Sequence, residues 1–206
     1  MKITLKSICF LTLILLLSTC ASSYRTIKPS SLNYLSSSEI GNVKLAYKYN
    51  LLSKKYFKKE LKNGVKLAAV KITNNSNKDY IFGKNLKITY SNGRQIPLLD
   101  NSRAFRLLKQ NTPAYLLYLL LTPMRFEVYQ TTNSYTEVSS STPVGLLVGP
   151  GIAAGNMIVA GSANKNLKLD LEAYDLMHTT IKSGETKYGI IVLNTNSSES
   201  LQLKLE

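Results

Sequence analysis

Tryptophan is absent from this sequence, histidine occurs once, and cysteine occurs only at positions 9 and 20. With so few nitrogen and sulfur ligands, a metal site would need carboxylates, which suit Mg²⁺ or Ca²⁺ better than a transition metal. No Asp-rich calcium loop, no Gly-Lys-Ser or Gly-Lys-Thr phosphate loop and no Gly-x-Ser-x-Gly elbow is present. We therefore expect no metal, no cofactor and no nucleophilic catalysis.

The N-terminus has the composition of a secretory signal peptide. Lys2 and Lys6 give it a basic start, residues 8–17 are apolar except for one threonine, and small residues precede Cys20. This order of basic, apolar and small-residue regions is typical of a signal peptide. About ten apolar residues are too few to span a bilayer as a helix, which needs about 20. We therefore predict that residues 1–19 are a cleaved signal peptide.

The end of this segment, Leu-Ser-Thr-Cys at positions 17–20, resembles the lipobox of bacterial lipoproteins. The resemblance implies that Cys20 is the lipidated first residue of the mature chain, with fatty acyl chains such as palmitate. It also implies the outer membrane, because Ala21 and Ser22 follow without the aspartate of inner-membrane retention. No acidic surface-export cluster follows, which favours the periplasmic face. An ordinary secreted protein with an unmodified Cys20 is the alternative.

Acidic residues are also scarce: 12 Asp and Glu stand against 26 Lys and Arg, and the formal charge is +14. Such a charge is typical of nucleic-acid-binding proteins, but an exported protein does not meet nucleic acid. Lipid head groups, acidic cell-wall groups and acidic proteins remain as partners, and lysines spread over solvated strand faces are the alternative. The one local cluster, five lysines within residues 54–62, alternates with Tyr56, Phe57 and Leu61. Its spacing suits an amphipathic edge or turn beside a surface.

The rest of the chain predicts one strand-rich domain with an insertion. Residues 20–41 are Ser-rich without a sustained period, which predicts a lipidated Cys followed by a flexible tether. An alternation of period two then predicts strands at residues 43–49, 65–73, 80–82, 86–90, 95–99, 187–193 and 201–205. Strands at both ends imply that the ends pair within a single domain, 42–206. The middle, residues 102–178, is then a helical insertion.

Three segments resemble small immunoglobulin-like domains of bacterial exported lipoproteins. They are Val-Lys-Ile-Thr-Asn-Asn-Ser at 70–76, the strand 86–90 with its Asn92-Gly93 turn, and the Ser-Gly-Glu-Thr turn at 183–186. The resemblance implies a mainly β fold, an immunoglobulin-like antiparallel β-sandwich that the helical insertion makes α+β overall. Because these motifs are turn chemistry, they bear on architecture and not on activity.

The insertion contains a first apolar stretch, residues 114–121, between two prolines. Pro113 fits the first turn of a helix, and Pro123 fits the position just past its end. A helix that is apolar all round must be buried in protein or in lipid. Upstream of it, Ser102 is the expected N-cap of a short helix.

A second apolar stretch, residues 144–161, lies in an uncharged span and contains several glycines. Gly145 and Gly149 have the small-xxx-small spacing that lets helices approach closely, and so do Gly151 and Gly155. We therefore expect a helical hairpin in which this stretch covers the leucines of residues 114–121. Insertion of these leucines into the anchoring membrane is the alternative. The residues that distinguish the two arrangements are Leu116, Leu117, Leu120, Gly151 and Gly155.

Only carboxylates offer a route to catalysis. The candidates for a carboxylate-based hydrolase, which would need a facing pair, are Asp100, Glu127, Asp170, Glu172 and Asp175. Each of these is expected to be a solvated or capping charge, and His178 is expected to be structural. The chain is therefore predicted not to be an enzyme.

These observations predict a lipid-anchored cell-envelope protein with a non-catalytic binding or structural role. Its expected partners are the membrane, through the anchor on Cys20, and other envelope proteins. Nucleic acid is not expected as a partner. Two alternatives remain open, a membrane-inserting envelope assembly factor and a carboxylate-based hydrolase.

Overall fold

A computed structural model describes residues 20–132 and 135–206. The predicted signal peptide lies outside these residues, so its cleavage stays a prediction. The described chain divides into two compact units. Unit 1 comprises residues 20–23 and Asn111–Ser162, and unit 2 comprises Tyr24–Gln110 and Ala163–Glu206. The inserted unit is therefore shorter than the predicted insertion of residues 102–178.

The described residues form a mixed α+β fold. The strands are β1 (Ser36–Ile40), β2 (Val43–Lys48), β3 (Lys66–Asn74), β4 (Tyr80–Ile81), β5 (Leu86–Tyr90), β6 (Phe126–Thr132), β7 (Tyr135–Thr142), β8 (Thr180–Ile181), β9 (Thr186–Leu193) and β10 (Leu201–Leu205). The α-helices are α1 (Lys54–Lys62), α2 (Asn101–Leu108) and α3 (Gly145–Ala173). Two 3₁₀ helices cover Pro29–Ser31 and Thr112–Leu121.

The largest sheet lies in unit 2 and has the order β1-β2-β3-β9, with antiparallel pairing throughout. In β3, Val70 lies opposite Tyr47 on one side and Gly189 on the other. Strand β10 pairs with β5 in the same antiparallel sense. Both C-terminal strands thus pair with strands that precede the insertion. The prediction that strands from the two ends of the chain pair with each other is confirmed, although β10 and β5 form a sheet separate from the large one.

Both faces of the large sheet are buried at its strands β3 and β9. One face shares a core with β5 and β10, to which Ile72, Leu86 and Leu201 contribute. The other face packs against the helices of unit 2, including Leu108 and Leu167. Burial on both faces explains the continuous apolar run at the centre of β3, since a strand covered on one side alternates instead.

The Ser-rich N-terminal segment is not the flexible tether that its composition predicts. Tyr24 Oη and the Ile27 N–H both donate to the Asp170 carboxylate, at 2.9 and 2.7 Å. Ile27 is buried, and β1 forms the edge of the large sheet. A few apolar side chains and the backbone of β1 provide these contacts, so serine content alone is a poor guide to this segment.

Three local predictions also differ from the structure. The cluster at residues 54–62 is the helix α1 rather than an edge or turn. The N-cap of α2 is Asp100, whose carboxylate accepts a hydrogen bond from the Arg103 N–H at 2.8 Å, and not Ser102. Residues 95–99 do not form the expected return strand and make only two isolated bridges, Gln95 with Thr89 and Leu98 with Leu193.

Unit 1 consists of the longer 3₁₀ helix, a hairpin of β6 and β7, and residues 145–162 of α3. The hairpin was not predicted within the insertion. Its strands pair antiparallel, with a register shift at Val128/Tyr129. Every described residue of both strands is exposed. Helix α3 continues through Pro150 and extends into unit 2.

Candidate functional site

Unit 1 exposes a set of large apolar side chains, which we name the apolar surface. Its members are Leu116, Leu117, Leu119 and Leu120 of the 3₁₀ helix and Leu146, Leu147, Val148, Ile158 and Val159 of α3. Leu117 is 68% exposed, Leu120 77% and Leu147 83%. Large exposed apolar patches mark contacts with a protein, a membrane or a ligand, and these exposed side chains all belong to one unit.

The 3₁₀ geometry decides which residues of this stretch are exposed. With three residues per turn, every third side chain lies on the same face of the helix. Tyr115 and Tyr118 lie on one such face and are buried, at 5% and 4% exposure. The leucines between and beside them point away from that face. Burial of Leu116, Leu117 and Leu120 within the protein, which the helical-hairpin prediction required, is therefore wrong.

The two tyrosines form the small core of unit 1 together with Ala153 and Ala160 of α3. Gly145 and Gly149 make the closest approach to the 3₁₀ helix. A Cβ at Gly145 would overlap the backbone around Leu121, and one at Gly149 would lie 3.0 Å from the Tyr118 carbonyl oxygen.

Gly151 and Gly155, by contrast, are exposed, and a Cβ at either would have no atom within 4 Å apart from the adjacent backbone of its own helix. The predicted spacing of small residues is thus present, but it does not mediate packing within the chain. The prediction that these two glycines cover the leucines is wrong. Membrane contact by the same residues stays a prediction.

The glycines provide a test of this packing. We expect Gly145→Ala to lower the free energy of unfolding by about 1–3 kcal/mol, because the new methyl group overpacks against backbone. Gly151→Ala should leave stability unchanged or raise it by up to about 1 kcal/mol, because alanine favours the helix and has open space there. Denaturant unfolding of both variants measures the difference. Equal effects at the two positions would contradict the described contact.

Helix α3 matches the apolar surface in composition. Residues 138–164 carry no charged side chain. Of the helices in the described ranges, only α3 is long and apolar enough to cross a membrane, judged by length and composition. Only 22% of its most apolar window is buried.

The candidate anchor, Cys20, is exposed and belongs to the same unit. The backbone N–H of the next residue, Ala21, donates a hydrogen bond to the Asn156 side-chain oxygen of α3. Ala21 also packs against the core of unit 1. An acyl chain on Cys20 would therefore start from the unit that carries the apolar surface.

The hairpin of unit 1 is polar with exposed aromatic residues. Tyr129 and Tyr135 are 59% and 77% exposed, and Tyr129 Oη donates to the Glu127 carboxylate at 2.6 Å. The two faces otherwise carry mostly Ser, Thr and Gln. A two-stranded hairpin is only marginally stable by itself in water. This pattern, tyrosines among small polar residues, suits a membrane–water interface, where tyrosine is enriched.

The candidate catalytic carboxylates have separate structural partners. Asp100 caps α2, Glu127 accepts from Tyr129, Asp170 accepts from Tyr24 and Ile27, Glu172 pairs with Lys168, and Asp175 accepts from Asn101. No hydrogen bond joins two of them within the described ranges. Those ranges also contain no group of three His, Cys, Asp or Glu residues that could hold a metal ion. His178 has a left-handed backbone conformation (φ 61°), and its backbone N–H donates a hydrogen bond to the Phe82 carbonyl.

A buried amide pair, which the sequence analysis did not identify, joins the two ends of the insertion within unit 2. The Gln110 N–H donates to Asn164 Oδ1 at 2.8 Å, and Asn164 Nδ2 donates to the Gln110 carbonyl at 2.9 Å. Tyr56 Oη donates to Asn164 Oδ1 and accepts from Gln110 Nε2, each at 3.1 Å. The insertion begins directly after Gln110 and ends just before Ala163 and Asn164. We call the hydrogen-bonded pair of Gln110 and Asn164 the neck.

A buried ion pair, also not predicted, lies under α1. The Glu60 side chain is fully buried, and its Oε1 accepts from the Leu67 N–H at 2.7 Å. The Lys66 ammonium lies 3.8 Å from Glu60 Oε2 and donates to Asn50 Oδ1 at 2.9 Å. Burial raises the pKa of Glu60 above its ordinary value, although the Leu67 N–H and Lys66 act in the opposite direction.

This raised pKa makes stability depend on pH. The folded protein keeps the Glu60 proton at pH values where the unfolded chain has lost it, so the contribution of Glu60 to stability falls as pH rises through the raised pKa. Glu60→Gln cannot titrate. The free energy of unfolding of wild type minus that of the variant should therefore fall from about pH 4 upward and then level off. Denaturant titrations across that range measure it, and a difference that rises with pH would contradict the assignment.

Comparison of the chain with protein-family models, with curated proteins and with solved structures finds no match.

Proposed function

We propose that the protein is a lipid-anchored, non-catalytic membrane protein whose unit 1 inserts its apolar surface into the bilayer. The exposure of the apolar surface is the observation that carries this proposal. A leucine that moves from water into an apolar medium contributes about 1.5–3 kcal/mol. Several leucines as exposed as Leu117, Leu120 and Leu147 would bind a membrane strongly even without an anchor.

Three further features support a bilayer as the partner. The surface and the span of residues 138–164 lack charges, which are costly in hydrocarbon. The hairpin exposes Tyr129 and Tyr135, and tyrosine is enriched at membrane–water interfaces. Cys20, the candidate lipidation site, lies in the same unit. Stable anchoring of a protein generally needs two signals, and acyl chains plus an inserted apolar surface provide two.

Of the two alternatives that the sequence left open, this proposal favours the membrane-inserting envelope assembly factor. An outer-membrane location on the periplasmic face rests on the resemblance to the lipobox and stays part of the proposal. The immunoglobulin-like assignment of unit 2 is likewise a proposal. It is supported by the core that the large sheet shares with the β5-β10 pair.

The test uses a protein of residues 20–206 with Cys20→Ser, which keeps every contact described above and carries no acyl chain. We expect it to float with neutral phosphatidylcholine vesicles in a density gradient. A protein that remains in the dense fractions would contradict the proposal. So would a stable oligomer that buries the apolar surface and no longer binds vesicles.

A further inference from the structure

Helix α1 of unit 2 carries a second exposed surface, and it differs in chemistry from the apolar surface. Its exposed residues are Lys54, Phe57, Lys58, Leu61 and Lys62. At 100° per residue these positions cover one continuous arc of the helix. Phe57 and Leu61 lie along one side of the arc, and the three lysines lie along the other. We name this arc the basic face.

The opposite side of α1 is held firmly in unit 2, so the orientation of the basic face is fixed. Tyr56 is buried in the core between the large sheet and the helices of unit 2, and its hydroxyl donates a hydrogen bond to Asn164 Oδ1. Glu60, one turn further along, is buried against β3 through the Leu67 N–H. These contacts leave only the basic face of α1 available to a partner.

The lysines of this face have no acidic partner within the part of the chain that the structure describes. The only acidic residue of α1, Glu60, is buried. Among the residues that the structure describes, Lys54, Lys58 and Lys62 form no salt bridge. Phe57 and Leu61 are 37% and 50% exposed beside them. A partner that complements the whole face must therefore offer negative charge next to an apolar region.

We propose that the basic face binds the anionic head groups of membrane lipids, with Phe57 and Leu61 entering the interface. Interfacial helices combine lysines on a polar face with Phe and Leu on the apolar face, and lysine stems reach along the apolar side to place their charge at the head groups. A soluble polyanion would satisfy the lysines but would leave the two apolar side chains in water. This inference goes beyond the proposed function, because it concerns head-group charge and another unit.

The experiment compares two vesicle compositions with the Cys20→Ser protein of residues 20–206. One is pure phosphatidylcholine, and the other is three parts phosphatidylcholine to one part phosphatidylglycerol. The anionic increment is the ratio of the two partition coefficients. The test variant replaces three lysines of the basic face: Lys54→Gln, Lys58→Gln and Lys62→Gln. Glutamine and lysine have similar helix propensities, so α1 should be retained, and circular dichroism checks this.

A matched control changes the net charge equally at exposed lysines outside α1: Lys78→Gln, Lys84→Gln and Lys182→Gln. Each lysine near an anionic surface raises the partition coefficient about fivefold, so three lysines should raise it about a hundredfold. We expect the anionic increment of the test variant to be about a hundredfold smaller than that of the unsubstituted protein. The anionic increment of the control should change little. Added salt should reduce the increment of the unsubstituted protein.

Equal losses in the test and control variants would overturn the proposal, because the effect would then be one of net charge. An unchanged increment in the test variant would also overturn it. So would lysine-dependent binding to heparin, a soluble polyanion, by a protein that shows no anionic increment on vesicles. Failure of the proposed function is a separate result, the absence of binding to neutral vesicles. In that case the partition coefficients of the unsubstituted, test and control proteins on the vesicles that contain phosphatidylglycerol are compared directly, and loss of this binding in the test variant alone is still the expected result.

Discussion

Replacement of Leu117, Leu120 or Leu147 by lysine is expected to release the Cys20→Ser protein from neutral vesicles. Each change removes an apolar side chain worth about 1.5–3 kcal/mol on transfer from water. It also adds a charge whose insertion costs about 2.5–3.5 kcal/mol at the centre of a membrane helix. Even at half of the combined effect, partition should fall about a hundredfold, since 1.4 kcal/mol is a factor of ten.

The same substitutions should barely alter folding. All three leucines are exposed, and surface substitutions usually change the free energy of unfolding by less than about 0.5 kcal/mol. The matched control is Leu35→Lys, a leucine of unit 2 that is 85% exposed. Vesicle flotation and denaturant unfolding give the two quantities. A stability loss above about 1 kcal/mol, or equal loss of binding in the Leu35→Lys variant, would argue against an inserted surface.

Substitution within the neck should destabilise the protein strongly. Asn164→Ala removes both hydrogen bonds between its side chain and the Gln110 backbone, in a site where both residues are buried. Removal of one partner of a buried hydrogen bond costs about 1–3 kcal/mol, so we expect the free energy of unfolding to fall by about 2–5 kcal/mol. Chemical denaturation followed by far-ultraviolet circular dichroism measures the change.

Asn166→Ala is the matched control for the neck, because it makes the same change two residues further along α3. Asn166 is half-buried and belongs to the same helix. Its replacement should change the free energy of unfolding by about 0.5 kcal/mol or less. If the two variants have similar stabilities, the neck does not hold the ends of the insertion.

The sheet of unit 2 could be predicted because its signal is local. The alternation of residues 43–49 and 201–205 specifies which side chains face a core, and the structure places strands at both positions. The N-terminal segment could not be predicted in the same way. Its attachment depends on Asp170, which is distant in sequence and lies on another element.

The candidate site was predicted in position but not in conformation. Leu116, Leu117 and Leu120 were recognised as unusual, yet α-helical geometry was assumed for them. A 3₁₀ helix of this length is uncommon, and its period of three places Tyr115 and Tyr118 on the packed face. The glycines could not be assigned either, because equal spacing describes the packed pair Gly145 and Gly149 and the exposed pair equally well.

The central claim is that the apolar surface enters the bilayer, and the absence of tryptophan from the chain permits a direct test. Leu147→Trp and, as the control, Leu35→Trp each introduce a single fluorophore at an exposed leucine. We expect vesicles to shift the emission of the Leu147→Trp protein to shorter wavelength, and lipids brominated in their acyl chains to quench it. The Leu35→Trp protein should show neither effect. Unshifted and unquenched emission from Leu147→Trp, in a protein that floats with the vesicles, would contradict the claim.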